Sequence, residues 1–197
     1  MPNFSPALRG DGHGNYRIHL IGNSGMSSTL GAYLSTKLNL PHISLDEIAW
    51  KPGWQRTQDA EFREKVRTLM AQDTRGWIVD GDYRALGTLV PDTATDIIWL
   101  DPPLRRYLPR LLWRTFMRLL GLRSSCAEGC VDTWEEVFSS QGIVWFCVTN
   151  HGTARTKYAA WLTRMNVAAG GKMARLDESR GELARWKDDL ETHLQQM

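Results

Sequence analysis

The stretch Gly22-Asn23-Ser24-Gly25-Met26-Ser27-Ser28-Thr29 is where residue types and spacing first suggest chemistry. It follows a short apolar run and opens a segment of helical period. That is the setting of the phosphate-binding pattern G-x-x-x-x-G-K-[ST], in which backbone amides and a helix N-terminus surround phosphate oxygens and a lysine neutralises them. Gly22, Gly25 and the magnesium-position Thr29 match, whereas Ser27 stands in place of the last glycine and Ser28 in place of the lysine. The hydroxyls of Ser24, Ser27 and Ser28 beside a helix N-terminus could still bind a carboxylate or phosphate. A plain strand-to-helix turn accounts for the same residues.

A second signal is basic. The segment Leu104 to Arg123 holds six arginines and no carboxylate. Arg106, Arg110, Arg114 and Arg118 recur every fourth residue and so share one helix face, with Leu108, Leu111, Leu112, Phe116 and Leu119 as the expected buried stripe. Like charges in a row repel, so the unmixed stripe points to an anionic partner, best read as a phosphate-bearing small molecule. Nucleic acid is the weaker candidate, since one short basic stripe lacks interleaved aromatics or a recognition motif. Cys126 and Cys130 supply at most two thiolates to a metal, and without a second pair they read as structural or incidental.

These residues need a scaffold, and the chain supplies an alternation of short apolar runs with helical segments, the pattern of β-α-β units around a buried parallel sheet. Five strands are expected at Tyr16–Ile21, His42–Leu45, Trp77–Val79, Asp96–Leu100 and Lys172–Leu176. Helices are expected at Thr29–Leu38 and Asp59–Gln72, from Leu104, at Thr133–Val148 and Thr153–Asn166, and from Ser179, where Ser179 and Glu182 have capping-box spacing. Ligands of open parallel sheets bind beyond the carboxyl ends of the strands. Asp46, just past the second strand, could there orient an acceptor hydroxyl, and Asp80 ends the third.

With 197 residues the chain fits one domain, expected over 16–197 with a flexible arm at 1–15. The stretch Arg123 to Asp132 reads as a flexible loop. The net charge of +2 is uninformative as a total. Three cysteines and the lack of a targeting pattern in Met1 to Asn15 lead us to expect a reducing, cytoplasmic setting, and no apolar run reaches the roughly 20 residues that span a bilayer.

Taken together, several motifs resemble the adenylate-kinase-like P-loop proteins, specifically the branch named for DNA topology modulation. The likeness runs through the serine-bearing loop, Ile43-Ser44-Leu45-Asp46 followed by Trp50-Lys51-Pro52-Gly53-Trp54, the turn Val79-Asp80-Gly81-Asp82-Tyr83, Trp99-Leu100-Asp101-Pro102-Pro103, and the arginine-rich helix. The resemblance implies a three-layer P-loop NTPase fold with a parallel sheet of about five strands and an arginine-rich lid over about 104–151. It assigns Asp46, Trp50, Lys51, Trp54, Asp82 and Tyr83 to the substrate side. Gly22, Asn23, Ser24, Gly25, Ser27, Ser28 and Thr29, with Arg106 and Arg118, fall to the nucleotide phosphates, and Thr29 with Asp80 to magnesium. Asp46, Asp80, Arg110 and Arg114 become the catalytic candidates, and Ser179 to Trp186 the segment passing the adenine. Two readings stay open. One is ATP- and magnesium-dependent phosphotransfer to a small nucleotide-like or hydroxyl acceptor, with weak ATP binding because the loop lacks its cation. The other is a pocket reassigned to a different anionic small molecule, either as an enzyme without ATP or as an inactive ligand-binding protein. A pure scaffold is the third possibility.

Overall fold

Alternation along short apolar strands decides the architecture. In the computed structural model, which describes residues 7–22, 27–125, 127–139, 142–177 and 181–195, β1 (Tyr16–Gly22) sends Tyr16, Ile18 and Leu20 to one side and Ile21 to the other. β5 (Gly76–Asp80) and β6 (Asp96–Leu100) do the same, with Ile78 and Ile98 opposite Val79 and Trp99. Strands apolar on both faces must be covered on both. They join β2 (His42–Ser44) and β7 (Met173–Leu176) in one parallel sheet of order β2-β5-β1-β6-β7.

One face is covered by α1 (Ser27–Leu38) through Leu30 and Leu34, and by α8 (Glu182–Gln195) through Trp186 and Leu190. The other is covered by α2 (Leu45–Ala49), α3 (Asp59–Met70), α4 (Leu89–Thr93) and α7 (Ile143–Met165), which contribute Leu45, Phe62, Val90 and Tyr158. This is a three-layer α/β sandwich in which β1 is the central strand and α1 begins beyond its carboxyl end. Between α2 and α3 a small hairpin, β3 (Trp50–Lys51) and β4 (Gln55–Arg56), stands apart from the main sheet. Beyond β6, α5 (Leu104–Leu119) packs with the first half of α7 around Tyr107, Leu111 and Cys147, and α6 (Trp134–Phe138) packs against α7.

Four sequence expectations need correction. Residues 7–15, read as part of a flexible arm, are pinned to the body. Leu8 is buried, Asp96 accepts the amides of Arg9 at 2.7 Å and Gly10 at 3.1 Å, and Trp186 Nε1 donates to the Ala7 carbonyl at 2.9 Å. The helix pair expected at 133–148 and 153–166 breaks elsewhere: α6 ends at Phe138 and α7 runs unbroken through Gly152. A glycine inside a helix costs only about 1 kcal/mol, and burial of Cys147, Ala154 and Tyr158 along α7 outweighs that. The buried stripe of α5 is Tyr107, Leu111 and Thr115, while Leu112 and Phe116 are exposed. Finally, Ser179 lies outside the described residues, and α8 starts at Glu182, whose carboxylate reaches back to accept the Asp177 amide at 2.7 Å.

Candidate functional site

The carboxyl end of β5, the first turn of α1 and the first residue of β2 bring three polar groups together. Asp80, buried at the end of β5, accepts the Ser28 hydroxyl hydrogen at Oδ2, 2.6 Å away. His42 Nε2 stands 3.8 Å from the same oxygen. The ring reaches there because α1 carries Gly31 at the contact, where a side chain would begin 2.3 Å from His42 Nε2. Ser28 therefore turns toward the carboxylate at the position the phosphate-loop pattern gives to lysine. Thr29 follows it, exposed, in the first turn of α1. Gly22 closes β1, Ser27 opens α1, and Asn23, Ser24 and Gly25 lie outside the described residues.

Asp46, in the first turn of α2, accepts the Tyr83 hydroxyl at 2.5 Å. Water reaches this carboxylate, yet protein crowds it from most sides. Desolvation pushes its pKa up, the Tyr83 hydrogen bond opposes that, Asp80 adds to the rise, and Arg114 and Arg118 pull it down. On α5 Arg114 and Arg118 are half-buried, whereas Arg106 and Arg110 are exposed. The four arginines expected on one face are thus split, because α5 buries the side next to Arg114 and Arg118. Arg118 also stands 3.7 Å from the buried Asp132, whose pKa burial raises.

Asp82 is held from a different direction, by Lys157 and by the Tyr158 hydroxyl at 2.9 Å, both on α7. Behind it the buried His19 faces the Gly81 carbonyl at 2.8 Å; a carbonyl only accepts, so the ring proton sits on Nε2. The Trp-Lys-Pro-Gly-Trp segment forms the β3–β4 hairpin. Trp50 and Trp54 meet edge to face at 5.7 Å, and Trp54 adopts a left-handed φ of 57°, unusual for a bulky residue. The 127–131 segment holds that turn: Gly53 donates to the Gly129 carbonyl at 3.0 Å, Trp54 Nε1 to the Val131 carbonyl at 3.0 Å and Cys130 Sγ to the Lys51 carbonyl at 3.3 Å. The loop expected to be flexible is in this part a buttress. Cys130 and Cys147 are buried free thiols, and Cys126 lies outside the described residues.

Lys51 is paired with Glu61 on α3 at 2.8 Å, within an open groove of about 950 Å³ between α2, α3 and the hairpin. It does not join the Asp80 cluster. Sequence reasoning missed His42, Asp132 and Lys157. His42 carried no motif, Asp132 sat in a stretch read as loop, and Lys157 meets Asp82 only through the long α7.

No family model matches the chain. It is 29% identical over 102 residues, 51% of its length, to the uncharacterized protein YqaC of Bacillus subtilis (strain 168). The match covers 57% of that protein, so the chain spans little more than half the length of this curated relative. Among solved structures it is similar to shikimate kinase from Bacteroides thetaiotaomicron, with 20% identity, a TM-score of 0.46 and coverage of 91% of this chain and 98% of that one. The fold assignment stands on the strand order and layers described above. Among the described residues no helix is long and apolar enough to cross a membrane.

Proposed function

We propose that this chain is a P-loop kinase-like phosphotransferase that moves a phosphoryl group from ATP to a small hydroxyl-bearing, nucleotide-like acceptor. The observation that carries the reading is that Asp46 and Asp80 stand at the carboxyl ends of β2 and β5, with the Asp46 carboxyl under the opposing charge of Arg114 and Arg118 on α5. Phosphoryl transfer is catalysed mainly by positioning and charge neutralisation, so a carboxylate for the acceptor opposite cations for the phosphates is the arrangement it needs. The finer kinship with the DNA topology modulation kinases belongs to the same proposal.

In this reading Asp46, oriented by Tyr83, accepts the hydrogen bond of the acceptor hydroxyl. Arg114 and Arg118 supply the positive charge that Ser28 does not, and α5, α6 and the start of α7 form the lid. Bound magnesium-ATP supplies the phosphoryl group. Among the described residues no cluster of three or more His, Cys, Asp or Glu side chains could hold a metal unaided. Magnesium on a nucleotide keeps waters and phosphate oxygens and needs only one or two protein oxygens, which Thr29 and Asp80 would provide. Trp50 and Trp54 would wall the acceptor side. The Ser28–Asp80 hydrogen bond is what favours the second reading, a crevice kept for an anionic ligand without ATP chemistry.

Calorimetry with ATP, with and without magnesium, followed by a phosphotransfer assay against nucleosides, nucleotides and small hydroxy acids, tests the proposal. Weak magnesium-dependent ATP binding with transfer to one acceptor class is expected. A folded protein that binds organic anions but not ATP would replace it with the second reading.

A further inference from the structure

A row of exposed aromatic rings that the proposed chemistry does not use runs from α5 onto α6. Trp113 lies 6.1 Å from Phe116, Phe116 lies 6.3 Å from Trp134, and Trp134 stacks on Phe138 at 6.1 Å with planes 7° apart. These rings are 60%, 41%, 53% and 66% exposed, in that order along the row. Leu112 and Leu120, one helical turn before and after Phe116, extend the row and are 40% and 50% exposed. We infer that this ring ladder is the contact between two copies of the chain, packed about a two-fold axis.

Area is the first argument. Aromatic side chains expose roughly 150–250 Å² each when free, so four rings about half exposed, with two leucines, present roughly 500 Å² of apolar surface. That is near the upper end for the largest patch on a monomer, about 300–600 Å². A standard interface covers about 800 Å² per partner, of which a little over half is apolar, about 450 Å². The ladder supplies that apolar share alone.

Charge is the second argument, and it selects the occupant. Exposed Arg105, Arg106 and Arg110 lie toward the start of α5, and exposed Glu135 follows Trp134 on α6. A two-fold interface is self-complementary, so the basic end of one copy meets the acidic end of the other. An anionic membrane would welcome the arginines and tryptophans but would repel the exposed Glu135 and Glu136 that follow Trp134.

Sedimentation equilibrium of the full chain, from low to high micromolar concentration, tests the inference, with vesicles of phosphatidylcholine and phosphatidylserine as a separate arm. A dimeric mass that shifts to monomer on dilution is expected. Trp113→Glu and Phe138→Ser should each weaken dimerisation by roughly thirty-fold, the size of an interface hot spot, with unchanged far-UV circular dichroism. A monomeric mass for the unsubstituted chain at every concentration overturns the inference, and sedimentation of that monomer with the vesicles would assign the ladder to membrane. A dimer that tolerates both substitutions overturns the assignment to this surface.

Discussion

Ser28 donates its hydroxyl hydrogen to Asp80 Oδ2 across 2.6 Å, joining the start of α1 to the end of β5. Removing a partner from a buried carboxylate leaves a desolvated acceptor, so Ser28→Ala should cost about 1–3 kcal/mol, read from the denaturant midpoint. The double change Ser27→Gly with Ser28→Lys restores close backbone approach and the missing cation. It should tighten ATP binding at least tenfold by calorimetry. A normally folded double variant with unimproved affinity would show a crevice remade for another ligand.

The four arginines that recur every fourth residue along α5 divide into two pairs with different expected effects. Arg114→Ala should weaken the binding of magnesium-ATP or an anionic substitute by about tenfold, the loss of a charge-assisted contact. Arg106→Ala, at an exposed site, should leave affinity within about twofold. Equal effects from the two changes would remove the inward-facing side of α5 from the site.

Asp46 gives the site a pH signature. Its carboxyl is pushed up chiefly by desolvation and must be ionised to accept an acceptor hydroxyl, so turnover should rise with pH through the raised value. Tyr83→Phe removes a hydrogen bond that favours the ionised form, so the acid limb should move to higher pH. Carbon-detected titration of the Asp46 carboxyl provides the same reading without turnover.

His19 predicts how stability depends on acid. Burial lowers its pKa, opposed in part by the Gly81 carbonyl and the carboxylates of Asp82 and Asp80, while Lys157 adds to the lowering. Above the ordinary histidine value of about 6.5 both folded and unfolded chains keep it neutral, and it contributes no pH dependence. As pH falls below that value the unfolded chain takes up a proton that the folded one resists, so stability declines. His19→Gln should flatten the thermal midpoint between about pH 6.5 and 5, once its own effect on stability is subtracted.

Much of the sheet and part of the site were legible because they rest on local pattern. The five main strands fall where apolar runs end in glycine or a polar residue, and Asp46 and Asp80 fall at carboxyl ends where ligands gather. What sequence could not supply was long-range packing. Gly142 and Gly152 stand ten positions apart in one segment, yet only the first marks a break. A side chain at Gly142 would begin 2.3 Å from the Val137 carbonyl oxygen, whereas nothing lies within 4 Å of that position at Gly152. The split of the arginine stripe has the same origin, since which side of α5 turns inward is decided by Tyr107 meeting Cys147 and His151 on α7.

The unbroken course of α7 has a mechanical consequence. At 23 residues it is about 35 Å long, with Cys147 in the small cluster around Tyr107 at one end and Trp161, Leu162 and Met165 against the main core at the other. The two regions share a single stiff rod instead of a pair of slack tethers. A displacement at the Cys147 end is therefore carried as tilt or bending into the helix that holds Lys157 and Tyr158 against Asp82. Gly152, with open space around it, is the point on that rod of least resistance to flexure.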